Sequence, residues 1–83
     1  MNAVEHRPDE QLFILSLDDG QGHLRYQING QDIDFTSTYV PGNWRGRGLA
    51  RKLVDAGLGW ARQEGLNIHA SCWYVQKVLE RGG

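Results

Sequence analysis

The 83 residues leave room for one domain, spanning residues 1–83, with limited surface to bury. A content of 40% hydrophobic and 23% charged residues is that of an ordinary globular chain, and no apolar run approaches the roughly 20 residues of a membrane helix. The formal charge of −1 conceals a division: residues 1–37 carry a net −5 and residues 38–83 a net +4, with Arg45, Arg47, Arg51 and Lys52 crowded together. The polar start reads as neither a signal nor a transit peptide, and the lone Cys72 excludes an internal disulfide. The expectation is a cytoplasmic protein without a membrane partner.

Residues 1–10 read as a loose lead-in. Residues 12–17, LFILSL, form an apolar run broken only by Ser16, of a length that suits a strand buried on both faces. The stretch Asp18-Asp19-Gly20-Gln21-Gly22 predicts a turn. Residues 23–28 alternate, with Leu24, Tyr26 and Ile28 on one face of a second strand. Asn29-Gly30 is a strong hairpin signal. A third strand over residues 31–40 places Ile33, Phe35 and Tyr39 on one face.

After Pro41-Gly42-Asn43 the period changes. Leu49, Leu53, Ala56 and Trp60 recur at helical spacing, and Asp55 is placed to pair with Arg51 or Lys52. Gly57 and Gly59 inside this helix each cost about 1 kcal/mol against alanine, which close packing on a sheet would explain. Gly65 reads as the left-handed cap. Residues 67–72 form a fourth strand with Ile68, Ala70 and Cys72 on one face, and residues 73–81 a short final helix. The order is β-β-β-α-β-α. The strand–helix–strand unit over residues 31–72 should be a right-handed crossover, so the fold class is α+β, with a mixed sheet and a packed helix.

Between the third strand and the long helix lies PGNWRGRGLA, residues 41–50. The first turn of a helix exposes N–H groups without internal acceptors and a partial positive charge, and glycines let an anion reach that backbone. Arg45 and Arg47 add forked donors suited to phosphate. A nucleotide P-loop is excluded, because Arg47 stands where G-x-x-x-x-G requires its second glycine. The dinucleotide fingerprint fails at Arg51, where G-x-G-x-x-G requires its third. The pattern [QR]-x-x-G-x-[GA] is met by Arg45, Gly48 and Ala50.

With these residues in place, TYVPGNWRGRGLARKLVDAGLGWARQEGL resembles the coenzyme A-binding motif of the GNAT superfamily of N-acetyltransferases. The later SCWYV, residues 71–75, is similar to the Cys-x-Tyr-Val segment of the short YjdJ-type GNAT-like proteins. The resemblance covers roughly residues 12–80. It implies a minimal GNAT fold that uses acetyl-CoA as cosubstrate. The backbone of Val40, Gly46, Arg47, Gly48, Leu49 and Ala50, together with Arg45, would hold the ligand. An amine or protein acceptor would take the acetyl group.

The backbone N–H near Val40 would polarise the thioester carbonyl. Tyr74 is a candidate proton donor to the leaving thiolate, or a surface cap on the core. Cys72 is a candidate acetyl acceptor, or a small buried residue. Two departures stand out. Full-length members carry N-terminal helices for which this length leaves no room, and the short family's His-Thr pair before the loop reads Ser37-Thr38 here. These favour the alternative, a non-catalytic coenzyme A-binding or protein-interaction module, whereas Arg45, Gly48, Ala50, Cys72 and Tyr74 favour the expected enzyme, an acetyl-CoA-dependent N-acetyltransferase.

No metal site is expected, since His6, His23 and His69 are dispersed and a single cysteine gives no ligand pair. His69 reads as a surface residue, Trp60 as core, and Trp44 as either a cover for the ligand or packing under the helix. A pI of about 6.2 argues against a nucleic-acid partner. The protein is expected to be a monomer or weak dimer.

Overall fold

The computed structural model describes residues 4–44 and 46–81. Among them, β1 (Val4–Arg7), β2 (Leu12–Leu17), β3 (Gly20–Asn29), β4 (Asp32–Tyr39) and β5 (Asn67–Ala70) form one sheet in the order β1-β2-β3-β4-β5. The first four strands are antiparallel neighbours, and β5 is parallel to β4. Helix α1 (Leu49–Gln63) makes the crossover between β4 and β5, and α2 (Trp73–Glu80) follows β5. The mixed sheet with its crossover is the arrangement that the period change after residue 43 predicts.

The loose lead-in is corrected. Val4–Arg7 is an edge strand whose inward residues, Val4 and His6, lie opposite Leu15 and Phe13. His6 stacks on Phe13 with 4.1 Å between ring centroids, meets the edge of Trp60 at 4.5 Å, and is hydrogen-bonded to the Tyr26 hydroxyl at 2.6 Å. The strand is pinned by a histidine acting as an aromatic, a signal that hydrophobic alternation does not register. The element order is therefore β-β-β-β-α-β-α.

In β2 all of residues 12–15 are buried, as the apolar run predicts. Phe13 and Leu15 join the core under α1. Leu12 and Ile14 lie on the helix-free face, beside Arg7 and Arg25, and Glu5 and His23, respectively. Long polar side chains can cover apolar neighbours along their stems.

The face assigned to Tyr39 is also corrected. Tyr26 pairs with Phe35 but Arg25 pairs with Ser37, so Thr36 is the extra residue of a β-bulge. One additional residue reverses the side-chain alternation beyond it. Thr38 thus comes opposite Leu24 on the α1 face, while Tyr39 turns to the other face, 53% exposed, 5.4 Å from the His23 ring.

The crossover helix packs closely. A Cβ at Gly57 would lie 2.6 Å from Leu24 Cδ2 and 2.9 Å from Phe35 Cε1, which accounts for glycine there; Gly59 faces open space and has no such reason. The helix ends at Gly65 in the left-handed region, with the Leu66 amide donating to the Ala61 carbonyl at 3.0 Å. One core unites the sheet, α1 and α2, including Val75, Val78 and Cys72.

Candidate functional site

The β4–β5 ladder runs from Asp32 opposite Asn67 to Phe35 opposite Ala70, followed by one more bond from the Cys72 amide to the Phe35 carbonyl at 3.0 Å. There β5 gives way to α2. The bulged end of β4, residues 36–39, continues without a parallel partner. Val40 follows it, half-buried, and the chain passes through a 3-10 turn at Gly42–Trp44 into α1. Pairing thus stops in a wedge between β4 and the end of β5, on the side where β4 leads into the glycine loop.

Gly46 and Gly48 have φ of 79° and 72°, in the left-handed region that disfavours other residues. A Cβ at either would meet nothing within 4 Å, so the surface above the loop is open. Gly48 is the N-cap of α1, and no side chain caps the helix. Ser, Thr, Asp or Asn at an N-cap would bond to the free N–H groups, whereas glycine, also common there, offers them no acceptor. The first turn has no acidic residue but carries Arg51 and Lys52, the reverse of what the helix dipole favours. The positive end of α1 thus has no acidic side chain in its first turn to offset it. Leu49 is buried and anchors the turn, and Ala50 is half-buried. Arg45 lies outside the described residues.

The loop is braced from the β2–β3 turn. Asp19 accepts hydrogen bonds from the Arg47 guanidinium at 2.7 Å, from the Trp44 indole N–H at 3.0 Å, and from the Asn43 amide at 3.2 Å (on its carbonyl) and 3.3 Å (on its carboxylate). Arg47 is the main influence holding the Asp19 carboxyl below its usual range, with help from the Trp44 indole and against desolvation. Trp44 is buried beneath the loop, and a Cβ at Gly22 would come within 3.0 Å of its ring. Trp44 is therefore packing, not a cover for a ligand. The Arg47 side chain is engaged in this brace, and its amide donates to the Trp44 carbonyl at 3.2 Å.

Across the wedge, Cys72 is buried as the N-cap of α2, with Sγ 3.4 Å from the Thr38 hydroxyl. Burial, the largest single influence, works against ionisation. The Thr38 hydroxyl and the amides of Val75, Tyr74 and Thr38 together outweigh it, and the thiol titrates below its ordinary value. These amides lie close enough to favour a thiolate without a full capping bond. Tyr74 is half-buried, with its ring edge-on to Trp73 at 5.9 Å and the Arg51 charge nearby. Thus Cys72 caps α2 and Tyr74 stands on its first turn, with Tyr74 beside Arg51 at the start of α1.

Residues 12–82 match the family model described as GCN5-related N-acetyl-transferase. The chain belongs to the GCN5-related N-acetyltransferase family. It is 36% identical over 80 residues to Protein NATD1 of Gallus gallus, covering 93% of this chain and 73% of that one. Protein NATD1 of Homo sapiens is likewise 36% identical over 80 residues, with 93% of this chain and 71% of that one covered. In solved structures, it is similar to a GCN5-like protein from Staphylococcus aureus determined by NMR. The TM-score is 0.75 at 25% identity, with 96% of this chain and 79% of that chain covered. The fold of this GCN5-related N-acetyltransferase domain is thus shared across a wide sequence distance.

Two site residues escape the sequence. Asp19 reaches Trp44 and Arg47 across separations of 25 and 28 residues, and nothing local in a turn signals that. Thr38 reaches Cys72 only because the bulge turns it inward. Among the described residues no group of three or more His, Cys, Asp or Glu could hold a metal ion, and no helix is long and apolar enough to cross a membrane. His69 pairs with Asp32 at 3.1 Å on the exposed face of β5.

Proposed function

We propose that this GCN5-related N-acetyltransferase domain binds acetyl-CoA at the start of α1 and transfers its acetyl group to an amine acceptor. The observation that carries the reading is the uncapped, carboxylate-free first turn of α1, reached through two left-handed glycines with open space above them. The pyrophosphate takes hydrogen bonds from N–H groups among residues 46 and 48–50, the Arg47 amide being already bonded to the Trp44 carbonyl. The thioester lies in the wedge, with its carbonyl near the Val40 amide.

Cys72 is the nucleophile in this reading. Its thiolate attacks the acetyl carbon and the carbon–sulfur bond to coenzyme A breaks. The departing thiolate takes the Tyr74 proton. A neutral amine then attacks the Cys72 thioester and expels the thiolate, and the amine's proton returns to the Tyr74 phenolate. The net change moves one acetyl group from coenzyme A to the amine.

The test is mass spectrometry of the intact protein and its peptides after incubation with acetyl-CoA. One acetyl group on the Cys72 peptide, lost on addition of amine and absent from heat-unfolded protein, supports the reading. Equal labelling of folded and unfolded protein contradicts it.

A further inference from the structure

A cavity of about 250 Å³ lies between the start of α1 and α2, lined by Arg51, Trp73, Tyr74, Lys77, Val78 and Arg81. Trp73, Lys77 and Arg81 recur every fourth residue, so they share one face of α2 and its C-terminal cap. Arg51, in the first turn of α1, faces them. No carboxylate stands among the described lining residues. Asp55 engages Arg51 through Nε at 2.9 Å, and a guanidinium has two further nitrogens to offer. Like charges four residues apart on a helix oppose folding, and a tryptophan 69% exposed leaves a large apolar ring in water. The helix dipole favours cations at this end of α2, but it gives no reason for the exposed tryptophan or for Arg51 beside them.

We propose that this cavity holds the nucleoside end of the ligand, with the ribose 3′-phosphate monoester between Lys77, Arg81 and Arg51 and the base against Trp73. The proposal rests on the acetyl-CoA reading above. Coenzyme A carries anionic charge in two places, and the α1 terminus serves only the diphosphate. A phosphate monoester is close to a dianion at neutral pH and calls for cations of its own. Arg51, at the third position of α1, stands between the two sites. Aromatic faces accept any base by stacking. The cavity is smaller than the roughly 300–1,000 Å³ that encloses a whole drug-sized ligand, and so suits one end of a long one.

The consequence is discrimination by one phosphate. Calorimetric titration of the full chain with acetyl-CoA and with acetyl-dephospho-CoA tests it. The expected result is that the dephospho ligand binds at least about tenfold more weakly, the scale of one or two charge-assisted hydrogen bonds. In the Lys77→Gln/Arg81→Gln double variant the phosphorylated ligand should weaken and the dephospho ligand should not, which removes the difference. Both side chains are exposed, and far-UV circular dichroism checks that the variant is folded. Equal affinity of the wild type for the two ligands overturns this inference and leaves the acetyl-CoA reading standing. Binding of neither ligand overturns both.

Discussion

The Thr38 hydroxyl lies 3.4 Å from the Cys72 sulfur and bridges the unpaired end of β4 to the N-terminus of α2. The contact depends on the bulge at Thr36, because without it Thr38 would face away from α1. Removal of the hydroxyl should raise the thiol pKa. In Thr38→Val, the alkylation of Cys72 by iodoacetamide should shift to higher pH and be slower at pH 7. An unchanged pH profile would show that the hydroxyl does not support the thiolate.

Asp19 is the corresponding brace for the glycine loop. Asp19→Ala leaves the buried Trp44 indole N–H without its acceptor and frees Arg47 and Asn43. The expected outcome is a lower Tm together with weaker acetyl-CoA binding, since the loop loses its tie to the sheet. A variant of unchanged Tm and affinity would refute the brace.

Gly57 and Gly59 should respond oppositely to alanine. Gly57→Ala gains about 1 kcal/mol of helix propensity but drives a methyl into Leu24 and Phe35, for a typical overpacking cost of about 1–3 kcal/mol, so it should be neutral to destabilising. Gly59→Ala meets nothing and should stabilise by about 1 kcal/mol. Denaturant unfolding reads both, and a stabilised Gly57→Ala would contradict the close helix–sheet contact.

His6 should make stability depend on pH. Burial lowers its pKa below the ordinary 6.5, so the unfolded chain binds the proton more readily than the folded one. The contribution of the neutral side chain is complete above about pH 6.5 and is lost as pH falls through the folded-state value. His23, lowered by burial and by Arg25, acts in the same direction. The Tm should therefore fall from pH 7 to pH 5, and His6→Phe should reduce that slope. An unaltered slope would remove His6 as the group responsible.

What the sequence discloses, and what it hides, follows the range of the interactions. Leu12–Leu17 and the left-handed Gly65 are set by neighbours, and the local pattern reveals them as the structure has them. The start of α1 is legible because a change of period and a glycine cluster coincide there. The missed features depend on distant residues. Val4–Arg7 becomes a strand because His6 lies among Phe13, Tyr26 and Trp60. Tyr39 and Thr38 exchange faces because one bulge residue is inserted opposite β3. Asp19 looks like any turn aspartate until the β2–β3 turn meets the glycine loop. The glycine loop is readable in the sequence, whereas the contacts that hold it in place are not.

The central claim is that the open first turn of α1 takes the anionic part of acetyl-CoA, and calorimetric titration of the wild type beside Gly48→Asp tests it most directly. The new carboxylate would occupy the N-cap and meet the ligand's phosphates with like charge. The account predicts saturable binding of acetyl-CoA by the wild type and its loss in the folded variant. Absence of binding to the wild type at millimolar ligand, or equal binding by both proteins, would contradict it.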